Sequence, residues 1–127
     1  MKINNLLILV SVLLALILIG CGQKVPEEKI NSIRIISTSV NDRNVNSFEI
    51  HFETTGHTRD NQIYCYSDIN AIRYPEDLAT TNPTILGSGI LTGRTCPTLG
   101  GCHIKVCCYP SQPLDDTKRI CSENYIR

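Results

Sequence analysis

The chain contains no tryptophan, one methionine and only two phenylalanines, Phe48 and Phe52. Ile, Val, Leu, Tyr and cystine sulfur must therefore fill the core, and a small core of that kind is marginal unless something else supports it. Charge of one sign is also missing: twelve Lys and Arg balance twelve Asp and Glu, with no block of either. Phosphate binding needs a basic face, so nucleic acid is not an expected partner, and no polybasic patch awaits anionic lipid. No G-x-S-x-G, S-x-x-K, H-E-x-x-H or Gly-rich phosphate loop is present, so no catalytic residue can be named and the expected protein is not an enzyme. Asn82 is followed by Pro83, which blocks its use as a glycosylation acceptor. No helical period is sustained beyond the first segment, and no repeat or low-complexity tract interrupts the chain.

What is present begins with "LLILVSVLLALILIG", an unbroken apolar run from Leu6 to Gly20 behind the single lysine of "MKINN". A membrane-crossing helix needs about 20 apolar residues, so this shorter run fits the hydrophobic region of an export signal better. The run ends in "LIGC", Leu18 to Cys21, which resembles the lipobox of prokaryotic lipoprotein signal peptides. The resemblance covers residues 1–21. It implies that a diacylglyceryl group is attached to Cys21, that residues 1–20 are removed, and that Gly20 is the small residue the peptidase accepts. Two acyl chains, palmitate or similar, give stable anchoring where one would be marginal. The lipid bilayer is thus the first expected partner, and the expected location is the cell membrane, lipid-anchored, facing the periplasm or exterior. Gly22 stands where the family's inner-membrane retention signal has aspartate, so retention inside is not favoured. An ordinary signal peptide with an unmodified cysteine, or a short uncleaved anchor, is the alternative.

Residues 21–29 then read as the lipidated cysteine and a polar tether; the eight residues "GQKVPEEK" reach about 27 Å when extended. From residue 30 to 127, roughly a hundred residues, the period is two. "NSFEIHFE" alternates Phe48, Ile50 and Phe52 with Glu49, His51 and Glu53; "CHIKVCCY" alternates Cys102, Ile104, Val106 and Cys108 with His103, Lys105, Cys107 and Tyr109. Strands are expected at 31–37 (A), 46–54 (B), 62–67 (C), 84–92 (E), 102–109 (F) and 117–126 (G), with a bulge near Gly87 and Gly89. "PEDLAT" is the best candidate for one helical turn. The expected fold is all-β, an immunoglobulin/fibronectin-III-like antiparallel β-sandwich stapled by disulfides after the signal segment.

Seven cysteines is an odd number, and withdrawing Cys21 for lipid leaves an even set. In the expected topology F lies between C and G. Consecutive residues on a strand face opposite sides, so Cys108 can meet Cys65 on the apolar face and Cys107 can meet Cys121 on the wet face. Cys96 and Cys102 enclose a local loop that a third bridge could close. This is one of fifteen pairings, selected by face and adjacency together. The alternative is a Cys/His metal-binding or thiol-redox envelope protein. The C-x5-C-H-x3-C-C spacing, however, fits neither zinc ribbons, fingers nor haem attachment, and no C-x-x-C opens a helix; metal and cofactor are both expected to be none.

Function then falls to the loops that the strands hold. The B–C segment "TTGHTRDN" and the F–G segment "YPSQPLDDT" share one end of such a sandwich, which would gather His57, Arg59, Asp60, Tyr109 and Asp115 as a partner-binding surface. The plainer alternative is that these are solvated turns. The expected role is a binding or structural module of the cell envelope, with an envelope protein or glycan as partner.

Overall fold

The computed structural model describes residues 2–20, 25–40, 47–76, 82–94 and 101–127. The apolar run forms helix α1, Lys2–Gly20. Its large apolar side chains between Ile3 and Ile17 are exposed. No helix among the described residues is long and apolar enough to cross a membrane. The expected helical turn in "PEDLAT" falls mostly outside the described residues, as do Cys21 and Cys96.

The rest is strand in two antiparallel sheets. The first holds β1 (Lys29–Val40), β2 (Ser47–His57) and β6 (Ser88–Arg94) in the order β1-β2-β6. The second is built around β3 (Gln62–Ile69) and β7 (His103–Tyr109). Here β4 (Ile72–Tyr74) and β5 (Pro83–Ile85) pair with β3, while β8 (Ile120–Cys121) and β9 (Tyr125–Ile126) pair with β7. One core lies between the sheets. Ile30, Ile33, Ile35, Phe48, Ile50 and Phe52 enter it from the first, and Ile63, Cys65, Ile69, Ile104, Val106 and Cys108 from the second. Each isoleucine, valine or phenylalanine among them contributes on the order of 1.5–3 kcal/mol on burial.

Period-two patterning explains most of this, and three irregularities explain the remainder. In β1, Ile30 and Ile33 both point inward although they stand three positions apart. A register shift between Ile30 and Ser32 against β2 inserts the extra residue that restores the phase. The expected strand E is two strands in different sheets: β5 pairs with β3, whereas β6 pairs with β2. The chain changes sheets at Leu86 and Gly87, where Thr54 N donates to Gly87 O at 2.7 Å and Gly87 N donates to Thr54 Oγ1 at 2.9 Å. Gly87 has φ +116°, open to glycine alone at little cost, so it marks this crossing rather than a bulge. Gly89 belongs to β6 itself. A Cβ there would lie 2.5 Å from Phe52 Cζ, so the missing side chain makes room for the ring opposite.

Strand G is likewise interrupted. Between β8 and β9, Ser122 Oγ accepts the Val106 N–H at 3.0 Å while Ser122 N donates to Val106 O at 2.8 Å. A hydroxyl thus replaces a carbonyl in the ladder, and Ser122 is buried without an unmet polar group.

The β3–β4 hairpin closes on Asn70 and Ala71, with Ile69 opposite Ile72. Both turn residues have positive φ, 50° and 67°, as a type I′ turn requires. Asn70 repays this by accepting the His103 N–H on Oδ1 at 3.0 Å. Ala71 has no such compensation, and a Cβ in this region costs about 1 kcal/mol. Ala71→Gly is expected to raise the urea unfolding free energy by about 0.5–1 kcal/mol. A loss of stability in that titration would contradict the turn.

Candidate functional site

The cysteines come first because they position everything else. Cys65 and Cys108 stand opposite each other in the β3–β7 register and are bonded, with Cα atoms 4.1 Å apart. Cys107 and Cys121 stand opposite each other between β7 and β8 and are bonded, at 4.0 Å. Cys102 is also disulfide-bonded, and Cys96, its expected partner, lies outside the described residues. The described cysteines are therefore spent as bridges rather than held as thiols. Among the described residues no three His, Cys, Asp or Glu side chains are grouped to hold a metal.

The second bridge is covered on one side only: Cys121 is exposed, as expected for this face, whereas Cys107 is not. Cys107 is buried together with Tyr66 and Tyr109, and Tyr64 and Leu114 pack on them as a second, smaller core outside the sheet. The alternation placed Cys107 on the side of Lys105 correctly, but the segment after β7 folds back and covers that side. The rings of Tyr66 and Tyr109 lie 6.2 Å apart. Arg119 Nη1 donates to Tyr66 Oη at 3.2 Å, and the Arg73 guanidinium sits 5.4 Å from the Tyr66 ring centre.

Two of the five expected partner-binding residues belong to this support. Tyr109 is only 2% exposed and ends β7; its Oη donates to Asp116 Oδ1 at 2.8 Å. It is a core residue rather than a surface aromatic, because the covering segment needs an anchor. Asp115 is an exposed capping residue, accepting from Thr117 N at 2.9 Å and Thr117 Oγ1 at 2.7 Å. The Thr117 hydroxyl, then its N–H, holds the Asp115 carboxyl below the usual aspartate value. These contacts make a turn and leave Asp115 outside the groove.

The other three do converge. His57, Arg59 and Asp60 line a groove of about 700 Å³ at the end of the molecule where β2 passes into β3. Thr58, Gln62 and Tyr64 complete that wall, and Ser111 and Gln112 with Pro110 form the facing one. A third wall comes from the tether: Val25, Pro26 and Glu28. Glu28 Oε1 accepts the Arg59 N–H at 2.9 Å, which fastens the tether to the connection. Asp60 and Asn61 both have left-handed backbone, φ 56° and 54°, a conformation Asn and Asp tolerate better than most residues. Thr58 is buried, and its Oγ1 has no hydrogen-bond partner among the described residues.

Thr58, Gln62 and Gln112 escape a reading of loops by composition, although their place at strand ends beside "HTRDN" and "YPSQP" was available to find them. The tether's contribution was not, since nothing periodic marks residues 25–28. No protein-family model, curated protein or solved structure matches the chain.

Burial, then the bond to Asp116, pushes the Tyr109 phenol above its ordinary value near 10. The fold favours the protonated form, so this contribution is complete below pH 10 and is lost as pH rises through the elevated value. Tyr109→Phe is expected to cost about 1 kcal/mol at neutral pH and to delete a late-titrating phenol from the alkaline absorbance curve. Loss of a phenol from the ordinary range, with the late-titrating part of the curve unchanged, would contradict the burial of this hydroxyl.

Proposed function

We propose that the protein is an exported lipoprotein, held on a membrane through acylated Cys21, whose small β-sandwich is a binding module of the cell envelope and not an enzyme. The lipid anchor rests on the lipobox resemblance of residues 1–21, and one observation supports the binding module: the tether, the β2–β3 connection and the residues after β7 jointly wall a single groove. Topology alone brings the two connections to one end; what it does not require is the tether closing a third side, fastened by Glu28 on the Arg59 N–H.

The immunoglobulin/fibronectin-III-like assignment is supported by strand order. With β1, β2 and β6 as A, B and E, and β4, β3, β7 and β8 as C′, C, F and G, the two sheets run A-B-E and C′-C-F-G. In that architecture connections at one end are the usual binding loops, and the groove sits between the B–C and F–G connections. The partner is an envelope protein or a glycan, with no role for nucleic acid.

The anchor gives the groove an address. Only four peptide units separate Cys21 from Val25, at most about 14 Å of extended chain. The module therefore works close to the membrane surface, with its groove on the side from which the tether leaves.

Anchoring is tested directly. Cys21→Ala is expected to abolish incorporation of labelled palmitate and to move the protein out of the washed membrane fraction, and the intact mass of the wild-type mature form should carry the diacylglyceryl increment. Membrane retention of the Cys21→Ala protein, or an unacylated wild-type mass, would sink the lipoprotein reading.

A further inference from the structure

The groove's walls specify a class of ligand. An extended peptide recognised by strand addition needs a line of free main-chain groups. Here His57 pairs with Lys29, Gln62 with Ile85, and Tyr64 with Pro83 on one side and Tyr109 on the other. Recognition therefore falls to side chains.

Those side chains carry both signs, singly placed: Arg59 against Glu28 and Asp60. Such a mixture gives no focused field for a phosphate or a polyanion. Beside the charges the lining includes the amides of Gln62 and Gln112 and the phenol-bearing Tyr64. Amides donate and accept, carboxylates accept, and the guanidinium donates, so the groove suits a ligand that does both at many points. It also offers an aromatic side chain for an apolar face. Thr58 adds a buried hydroxyl with no partner among the described residues, and an unmet polar group at a site calls for an explanation. The volume, about 700 Å³, lies in the range of small-ligand sites, about 300–1,000 Å³.

Hydroxyl-rich, uncharged and with a C–H face on each ring, a sugar meets all of these demands. Resting on the binding-module reading above, we propose that this groove binds a neutral oligosaccharide, with Tyr64 beneath a sugar ring and Asp60, Gln62 and Gln112 on its hydroxyls.

The test uses the full acylated chain in lipid nanodiscs, titrated calorimetrically with tetra-N-acetylchitotetraose, with maltotetraose, and with a capped uncharged peptide of alanine, serine and proline. Saturable one-site binding of at least one oligosaccharide, with Kd below about 1 mM, is expected. Gln112→Ala and Asp60→Asn should each weaken it about tenfold or more without moving the unfolding midpoint; asparagine keeps the left-handed backbone of Asp60 accessible. Binding of an oligosaccharide that neither variant weakens would overturn the site. Saturation by the peptide alone, lost in the same variants, would overturn the carbohydrate assignment and leave the binding module standing. No saturation by any of the three would overturn the carbohydrate assignment.

Discussion

Everything in this domain hangs on β7 being fastened to both of its neighbours, once on each face. Cys108 is bonded to Cys65 across to β3, and Cys107, one residue earlier, to Cys121 across to β8. Adjacent cysteines can do this because successive side chains leave a strand on opposite sides. Sequence separations of 43 and 14 correspond to about 4 and about 3 kcal/mol in the chain-entropy account of disulfides, which is model-dependent. Against a typical net stability of about 5–15 kcal/mol, that is a decisive share for a core with no tryptophan. Each bond also seeds its own cluster: Cys65–Cys108 lies among the isoleucines and phenylalanines between the sheets, and Cys107 among Tyr66 and Tyr109.

The outer cluster explains why the groove keeps its shape. Tyr109 closes β7, its hydroxyl holds Asp116, and Arg119 reaches back to Tyr66. The segment carrying Pro110, Ser111 and Gln112 is thus tied at one end by β7 and at the other by the 3-10 turn at Asp116–Lys118. Across the groove, the β2–β3 connection is held by Glu28 from the tether and by the Leu86 N–H, which donates to Asn61 O at 2.7 Å. The groove is walled largely by loops, and their positions are set by the bridges, the tyrosines and the sheet-crossing at Gly87.

Much of the mostly β fold was legible because β2, β3 and β7 each turn one consistent face into the core between the sheets, and a period of two survives wherever no residue is inserted. The pairings at Cys65–Cys108 and Cys107–Cys121 followed from the same parity. What was not legible arises where parity or adjacency breaks. A register shift in β1 leaves no mark in "KINSIRI". The sheet change at Leu86–Gly87 reads as one weak strand because both halves are extended. Ser122 substitutes its hydroxyl for a backbone acceptor, which composition does not reveal. Tyr109 looked exposed because its alternation partner is Lys105, and only the segment just after β7, folding back over the sheet, buries it. At the groove, His57, Arg59 and Asp60 were found by loop adjacency, while Glu28 was missed because a tether has no pattern to read.

The most direct measurement is urea unfolding of the oxidised and the fully reduced protein, followed by circular dichroism at neutral pH. With β7 as the fastening, reduction should remove several kcal/mol, at least on the order of the two loop-closure contributions together because the bridge at Cys102 opens as well, leaving a domain with no cooperative transition or one at far lower urea. Coincident unfolding curves for the two forms would contradict the account, since the sheets would then hold β7 without the bonds.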